Sequence, residues 1–528
     1  MTTEPTHTDA PWWQGAVVYQ IYPRSFADAN GDGIGDLRGI IAHLDHVVAL
    51  GADAIWLSPI YPSPLHDFGY DISDYTDVAA EFGSLADLDA LVAAAHRRDL
   101  RLLLDLVPCH TSIEHPWFAE ARRSRSDPRR DWYTWADPAP DGGVPNNWMA
   151  AFGGSSWTLD PATDQYYLHS FYPEQPDLNW RNPAVAAAIH GAMRFWLDRG
   201  VDGFRVDAIA HAIKDQRLRD NPPAAFGRSV FGIDPSGHER LWNVERPEVH
   251  DVVRGMRAVA EEYGGDRLLI GEVYTPAELL AGFLGGARDD EFQLAFNFEL
   301  LHTPWQADAL RLAFERSEAH TPARTNPTYA LSNHDQVRHA TRFGAAQVRV
   351  AALLLLTVRG TITLYAGEEI GQTDAVALPG AAQDRAGRDA QRTPMQWTAG
   401  GGFSDGTPWL PLTDPRDRNV ADQAADHTSV LGLYRRLVTL RRDSPALHHG
   451  DQRSLLDLPD DLVGWRREAN GERVVVVGNL GTADREVLLA DLEGAEILLH
   501  TADPAAPGPL RLPLRLAPTT GVVVRQSE

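Results

Sequence analysis

The chain of 528 residues contains one cysteine, Cys109, so no disulfide can form within it. A reducing compartment agrees with that without being required by it. No apolar run approaches the roughly 20 residues that cross a bilayer, and the first ten residues lack both the basic and the apolar segment of a secretory leader. These absences predict a soluble, cytoplasmic protein. Positive charge is the minority sign: 48 Lys and Arg face 73 Asp and Glu, a formal net charge of −25. That balance opposes long-range attraction to nucleic acid or to an anionic membrane, and leaves a neutral small molecule unaffected. No internal repeat or low-complexity tract is present.

The length predicts two or three domains with ample sequence for a large core. Along the first hundred residues, short apolar runs alternate with helical patterns. Val17-Val-Tyr-Gln-Ile21, Ala54-Ile-Trp-Leu57 and Leu102-Leu-Leu-Asp-Leu-Val107 read as strands, and residues 37–50 and 85–96 as helices. The alternation resumes at residues 200–208, 268–273, 292–298, 328–332 and 361–365, which brings the candidate strands to eight. Eight βα repeats predict an α/β fold, a (β/α)8 TIM barrel with strand-end polar residues at one mouth. An open doubly wound sheet is the rival; no glycine-rich phosphate fingerprint follows the first strand, which disfavours its nucleotide-binding form. Irregular sequence rich in Pro, Gly, Asp and Trp predicts an inserted subdomain at 109–182, between barrel segments 1–108 and 183–450. A second irregular stretch covers 371–425 and is followed by a helix at 431–442. From 451 to 528, short strands separated by turns predict a C-terminal antiparallel β domain.

Polar residues gather where those strands end. The third leads to Asp105 and His110, the fourth to Arg205 and Asp207, the fifth to Glu272, and the seventh to Asn333-His-Asp335. Arg205 beside Asp207 in an apolar run has two readings: a structural salt bridge, or a carboxylate nucleophile kept ionised by its neighbour. If the barrel closes, all of these groups share one mouth. Several carboxylates with one arginine and two histidines suit glycoside chemistry, which needs an ionised carboxylate and a protonated carboxylic acid across the scissile bond.

Asp105-Leu-Val-Pro-Cys-His110, Gly203-Phe-Arg-Val-Asp207, Gly271-Glu-Val273 and Ser332-Asn-His-Asp335, with Gln175-Pro-Asp-Leu-Asn179, carry a resemblance. In these motifs and their order the chain resembles the α-amylase family of glycoside hydrolases, in its α-glucosidase and oligo-1,6-glucosidase branch. The resemblance implies Asp207 as nucleophile, Glu272 as general acid and base, and Asp335 as the carboxylate that holds substrate hydroxyls. It implies a sugar subsite of Asp67, Tyr70, His110, Arg205, His334 and Arg392, with Asp67 and Arg392 closing the pocket behind the sugar. The expected activity is a retaining, exo-acting α-glucosidase on short α-glucosides. A glucosyl transferase with an alcohol or sugar acceptor is the alternative, and a non-catalytic carbohydrate-binding homologue a weaker one.

The loop Asp28-Ala-Asn-Gly-Asp-Gly-Ile-Gly-Asp36 offers Asp28, Asn30, Asp32, Asp36 and the Ile34 carbonyl at alternate positions, a hard-oxygen set suited to calcium. It lacks the final bidentate Glu of an EF-hand; the family branch has a structural divalent-ion loop at this place. No organic cofactor is expected. Two positions depart from the family pattern. Cys109 replaces a usual Asn and sets the lone thiol near the pocket, so thiol reagents are expected to inhibit. Ala208 follows the nucleophile where Val accompanies α-1,6 hydrolysis, which favours α-1,4 substrates such as maltose.

Overall fold

The computed structural model describes residues 11–526 apart from 225–231, 265, 287, 323–324, 377–381, 490–491 and 505–506. Eight parallel strands form its centre: β1 Val17–Ile21, β2 Ala54–Leu57, β3 Arg101–Leu106, β4 Gly203–Val206, β5 Leu268–Gly271, β6 Leu294–Ala295, β7 Thr328–Tyr329 and β8 Thr361–Tyr365. They are hydrogen-bonded in the order β7-β8-β1-β2-β3-β4-β5-β6. A parallel bridge from Phe296 to Thr328 joins the two edges, with the Asn297 amide donating to the Thr328 carbonyl at 3.0 Å. The sheet is therefore a TIM barrel, closed so that no edge is left unpaired.

Alternation along the strands divides their side chains between two cores. Val18, Trp56, Leu103, Leu268, Ile270, Leu294 and Phe296 point inward and fill the barrel, and Trp13 adds to them from the chain's start. The opposite faces meet the surrounding helices in one continuous apolar cluster. At the β4–β5 contact a Cβ on Gly203 would lie 2.0 Å from the Leu268 carbonyl oxygen, and its φ is +153°, so glycine alone fits there.

Several elements differ from the sequence expectation for local reasons. The helix expected over 37–50 is two helices, Leu37–Ala42 and Leu44–Leu50, because His43 leaves helical backbone geometry between them. The sixth strand, expected over 292–298, has two residues. Beside it the Gln293 side chain bridges the Leu269 amide and the Arg267 carbonyl, taking the place of ladder bonds. Residues 510–516 do not form one strand; pairing occurs at Gly508–Pro509 and Leu514–Leu516, separated by a stretch containing Pro513, which has no amide hydrogen to donate. Strand Asp451–Ser454 was not foreseen, since its sequence lacks apolar alternation.

Between β3 and β4 lie helix Pro116–Ala121 and a three-stranded sheet of Trp135–Ala136, Gln165–Leu168 and Trp157–Asp160. At the other end, a six-stranded sheet built on Leu462–Ala469 and Glu472–Asn479 packs on the barrel's helical layer. Helix Val348–Thr357 is the joint. Val474, Val476, Trp465 and Val523 belong to the same apolar cluster as its leucines. No helix among the described residues is long and apolar enough to cross a membrane.

Candidate active site

Strand register sets the site. Asp105 on β3 lies level with Arg205 on β4, and Val206 lies level with Gly271 on β5. Asp207 and Glu272, each one residue past its strand, therefore reach the mouth at the same height. Backbone bonds lock both: the Asp207 amide donates to the Leu106 carbonyl at 2.8 Å and the Glu272 amide to the Val206 carbonyl at 2.9 Å.

Arg205 is the hub beneath them. Its Nη1 donates to Asp105 Oδ1 and to Asp207 Oδ1, both at 2.7 Å, and its Nη2 lies 2.6 Å from Glu272 Oε1. With a side chain only 2% exposed, it touches the carboxylates from behind and does not line the pocket. One guanidinium thus serves three buried carboxylates, and the sharing decides their protonation. Burial pushes Glu272 up to about 8; Arg205 opposes the rise, while Asp207 and Asp335 add to it. Burial likewise pushes Asp207 up to about 7 against Arg205, with Asp105 adding to the rise. Arg205 favours the ionised form of Asp207, as expected, but its charge is divided among three carboxylates and burial outweighs it, pushing Glu272 the higher of the two.

Asp335 has the opposite setting. Burial alone would raise it, but the Arg388 and Arg392 guanidiniums, joined by His334 only once its ring is protonated in acid, more than reverse this and hold it well below the usual carboxylate range. Arg388 Nη1 and Arg392 Nη2 donate to Asp335 Oδ1 at 3.0 and 2.8 Å. Burial lowers His334 to about 3, so its ring is neutral. The ring is stacked between Tyr22 and Tyr70, at centroid distances of 5.9 and 5.4 Å. Gln20 Nε2 lies 2.8 Å from His334 Nδ1 and Tyr70 OH lies 2.7 Å from Nε2. Tyr70 OH donates onward to Asp105 Oδ2 at 3.0 Å, so β1, β3 and the 332–335 motif form one network.

These groups stand around a cavity of about 640 Å³ whose wall includes Asp67, Tyr70, His110, Asp207, Glu272, Asp335 and Arg388. Asp67 is held by Gln175 Nε2 at 2.9 Å and by Arg388, which also grips Asp384 through Nε and Nη2. His110 donates from Nε2 to the Tyr70 carbonyl at 3.0 Å. The catalytic candidates Asp207, Glu272 and Asp335 thus stand together, with Asp67, Tyr70 and His110 beside them. Arg205, His334 and Arg392 form the layer behind. Arg392 is fully buried, and the guanidinium that faces the pocket beside Asp67 is Arg388. Sequence reasoning missed Arg388 and Asp384; their signal is the spacing Asp384, Arg388, Arg392, one helical turn apart in an otherwise irregular stretch.

Cys109 is close to the site, its Sγ 3.2 Å from the Ala208 carbonyl oxygen, but it is completely buried, and burial raises its pKa well above the ordinary thiol value. Its reactivity is therefore not as expected from the sequence: a reagent can neither reach it nor find a thiolate. In the loop after β1, Asp28 Oδ1 accepts the Asn30 and Gly31 amides, Asn30 Oδ1 the Asp32 amide and Asp32 Oδ1 the Ile34 amide. Asp36 caps helix Leu37–Ala42 through the Gly39 amide and also accepts the Ala29 amide. Among the described residues no three His, Cys, Asp or Glu side chains already converge as a metal cluster. The donor chemistry, carboxylates with an amide and a carbonyl oxygen, fits a hard cation and no soft one.

Residues 20–450 match the model of the alpha-amylase catalytic domain. A probable alpha-glucosidase of Rhizobium meliloti (strain 1021) is 43% identical over 516 residues, covering 92% of this chain and 93% of that protein. The oligo-1,6-glucosidase of Parageobacillus thermoglucosidasius is 37% identical over 519 residues, covering 89% and 90%. Among solved structures, the alpha-glucosyl transfer enzyme XgtA aligns with a TM-score of 0.90 and 41% identity over 98% of this chain and all of the other. The trehalulose synthase MutB from Pseudomonas mesoacidophila MX-45 aligns with a TM-score of 0.89 and 34% identity over 98% and 99%. With its barrel, its strand-end carboxylates and these relatives, the chain belongs to the alpha-amylase family of glycoside hydrolases.

Proposed function

We propose that the protein is a retaining, exo-acting α-glucosidase that releases α-glucose from the non-reducing end of short α-glucosides, with α-1,4-linked maltose as the type. The observation that carries this reading is Arg205 shared between Asp207 and Glu272, with Glu272 the stronger holder of the proton. In the first step Asp207 attacks C1 while Glu272 gives its proton to the leaving oxygen. In the second, Glu272 takes a proton from water, which opens the glucosyl-Asp207 ester and leaves the α configuration. Asp335, held ionised by two guanidiniums, receives the sugar hydroxyls and the positive charge that develops at C1. Asp67, Tyr70 and His110 hold the outer hydroxyls, while Arg205, His334 and Arg392 keep the reacting groups in place. The Asp67–Arg388–Asp335 chain of ion pairs supports an exo mode, since it stands where a longer glucan would extend past the terminal glucose.

The test follows the product anomer by NMR with maltose, isomaltose, sucrose and an aryl α-glucoside, in wild type and Asp207→Asn. The expected first product is α-glucose, most rapidly from maltose, with Asp207→Asn slower by at least about a thousandfold, as for loss of a covalent nucleophile. A β first product, or undiminished turnover in Asp207→Asn, refutes the mechanism. Glucosyl transfer is the second reading, supported by the 41% identity to an enzyme named for alpha-glucosyl transfer. It differs only in which hydroxyl opens the ester, and an added alcohol acceptor in the same assay distinguishes the two. We further propose a structural divalent cation, calcium by its donor set, held by Asp28, Asn30, Asp32, Asp36 and the Ile34 carbonyl. It stabilises the loop and takes no part in the chemistry.

A further inference from the structure

The pocket has two halves of different character. Around Asp207 and Asp335 every guanidinium is paired: Arg205 with three carboxylates, Arg388 with Asp67, Asp335 and Asp384, and Arg392 with Asp335. At another part of the wall this changes. Arg240 lines the cavity, yet among the described residues it makes no ion pair, and its Nε is shielded from solvent without a hydrogen-bond partner. Asp234 is the acid whose field reaches it; its Oδ1 accepts from Ser236 and the His238 amide, while its Oδ2 is shielded without a hydrogen-bond partner and makes no ion pair with Arg240 among the described residues. His211 lines the same region, and its Nδ1 is likewise shielded and unpartnered. Burial and the neighbouring Lys214 lower the pKa of His211 well below the usual value, so the ring is neutral and offers one N–H.

An unpartnered guanidinium donor and an unpartnered ring nitrogen beside it are costly in a recess unless a ligand pairs with them. The walls beside them are apolar. Phe171 packs on the His211 ring at 5.2 Å, Phe152 is 43% exposed and stacks on Tyr172, and Ile233 and Val244 face them from the segment after β4. A second glucose unit has hydroxyls all around its rim and suits carboxylate and amide partners; a flat ring with one anionic group suits apolar faces ending in a guanidinium.

We propose that the part of the pocket lined by Arg240 and His211 is a leaving-group subsite for an aromatic aglycone bearing a carboxylate, which these two residues receive. This rests on the α-glucosidase reading and adds a second substrate class beside maltose. Cleavage is balanced without any further reactant: the Asp207 carboxylate forms the bond to C1, the bond from C1 to the phenolic oxygen breaks, and the Glu272 proton passes to that oxygen. A hydroxybenzoate leaves, and water then opens the glucosyl ester.

The experiment compares kcat/KM for 4-carboxyphenyl α-glucoside with that for its methyl ester in wild type, Arg240→Gln and Arg240→Lys. The expected wild-type ratio favours the free acid. It falls on the order of tenfold in Arg240→Gln, mainly through KM, as for loss of one charge-assisted contact, and recovers in part in Arg240→Lys. A wild-type preference for the ester, or a ratio that Arg240→Gln leaves unchanged, overturns the proposal; so does cleavage of maltose with neither aryl glucoside accepted. If no α-glucoside is cleaved at all, the activity reading fails and binding decides the subsite alone. In that case 4-hydroxybenzoate raises the melting temperature of wild type more than its methyl ester does, and Arg240→Gln abolishes the difference; equal shifts in both proteins refute the subsite.

Discussion

At the scale of single residues, the site works by dividing charge unequally. Arg388 and Arg392 both face Asp335 and keep it ionised, whereas Arg205 is spread over Asp105, Asp207 and Glu272. The sign of the pH dependence follows. The proposed mechanism requires Asp207 ionised and Glu272 protonated, so kcat/KM is expected to fall on the acid side as Asp207 takes up a proton. It falls again above about 8, the value to which burial raises Glu272, as that proton is lost. Glu272→Gln, assayed on an activated aryl α-glucoside that needs no protonation, is expected to lose the alkaline limb and keep the acid one. An alkaline limb that survives in this variant would assign it to another group. Cys109 gives the second residue-scale prediction: with the thiol buried under the Ala208 carbonyl, iodoacetamide leaves folded enzyme fully active and modifies Cys109 only after denaturation, as mass spectrometry would read.

At the scale of the element, the turn after β4 is held in strained backbone. Ala208 has φ +42° and ψ +33°, left-handed backbone that costs a residue with a Cβ roughly 1–2 kcal/mol. The turn repays this by aiming the Ala208 amide at Glu272 Oε2, 3.0 Å away, while the small side chain leaves the pocket wall open. Ala208→Val is expected to lower stability by a further ~1 kcal/mol or more, since β-branched residues tolerate this region least. It should also reduce kcat/KM for maltose more than for isomaltose. Ala208→Gly should raise the melting temperature. Equal stability of the three proteins would show that the turn relaxes; an unchanged maltose to isomaltose ratio would remove Ala208 from linkage selection. The strand ends themselves were legible because short β-branched and aromatic runs place polar residues at fixed offsets. The left-handed turn was not, since alanine has no preference for it.

At the scale of the whole molecule, the loop after β1 and the stretch after β8 are clasped together. Asp28 Oδ2 accepts from Ser404 Oγ, the Asp28 amide donates to the Phe403 carbonyl, and the Trp409 amide to the Gly33 carbonyl. Gly33 lies so near that a Cβ there would stand 2.0 Å from the Thr407 carbonyl oxygen. The stretch so held also carries Arg388 and Arg392, which ties the loop after β1 to the pocket through chain connectivity. A bound ion that prefers the folded loop adds RT ln(1 + [L]/Kd) to stability. Chelation is therefore expected to lower the melting temperature, with calcium restoring it, and to leave kcat/KM unchanged well below the transition. A melting temperature indifferent to chelator, calcium and magnesium alike would remove the cation from the loop.

The sequence by itself determined the barrel and the candidate catalytic carboxylates, because periodicity and strand-end position are local properties of a few neighbouring residues. Asp207 and Glu272 each stand one residue beyond an apolar strand, and Asp335 follows the seventh strand within its short motif. Tertiary structure alone decided which guanidinium meets which carboxylate. Arg388 reaches Asp67 across 321 residues of chain, a pairing no local pattern encodes. It also decided that Cys109 is sealed, that Arg240 makes no ion pair among the described residues, and that the Glu272 carboxyl is pushed upward. Burial and the field of distant charges govern those outcomes, and both exist only once the barrel has closed.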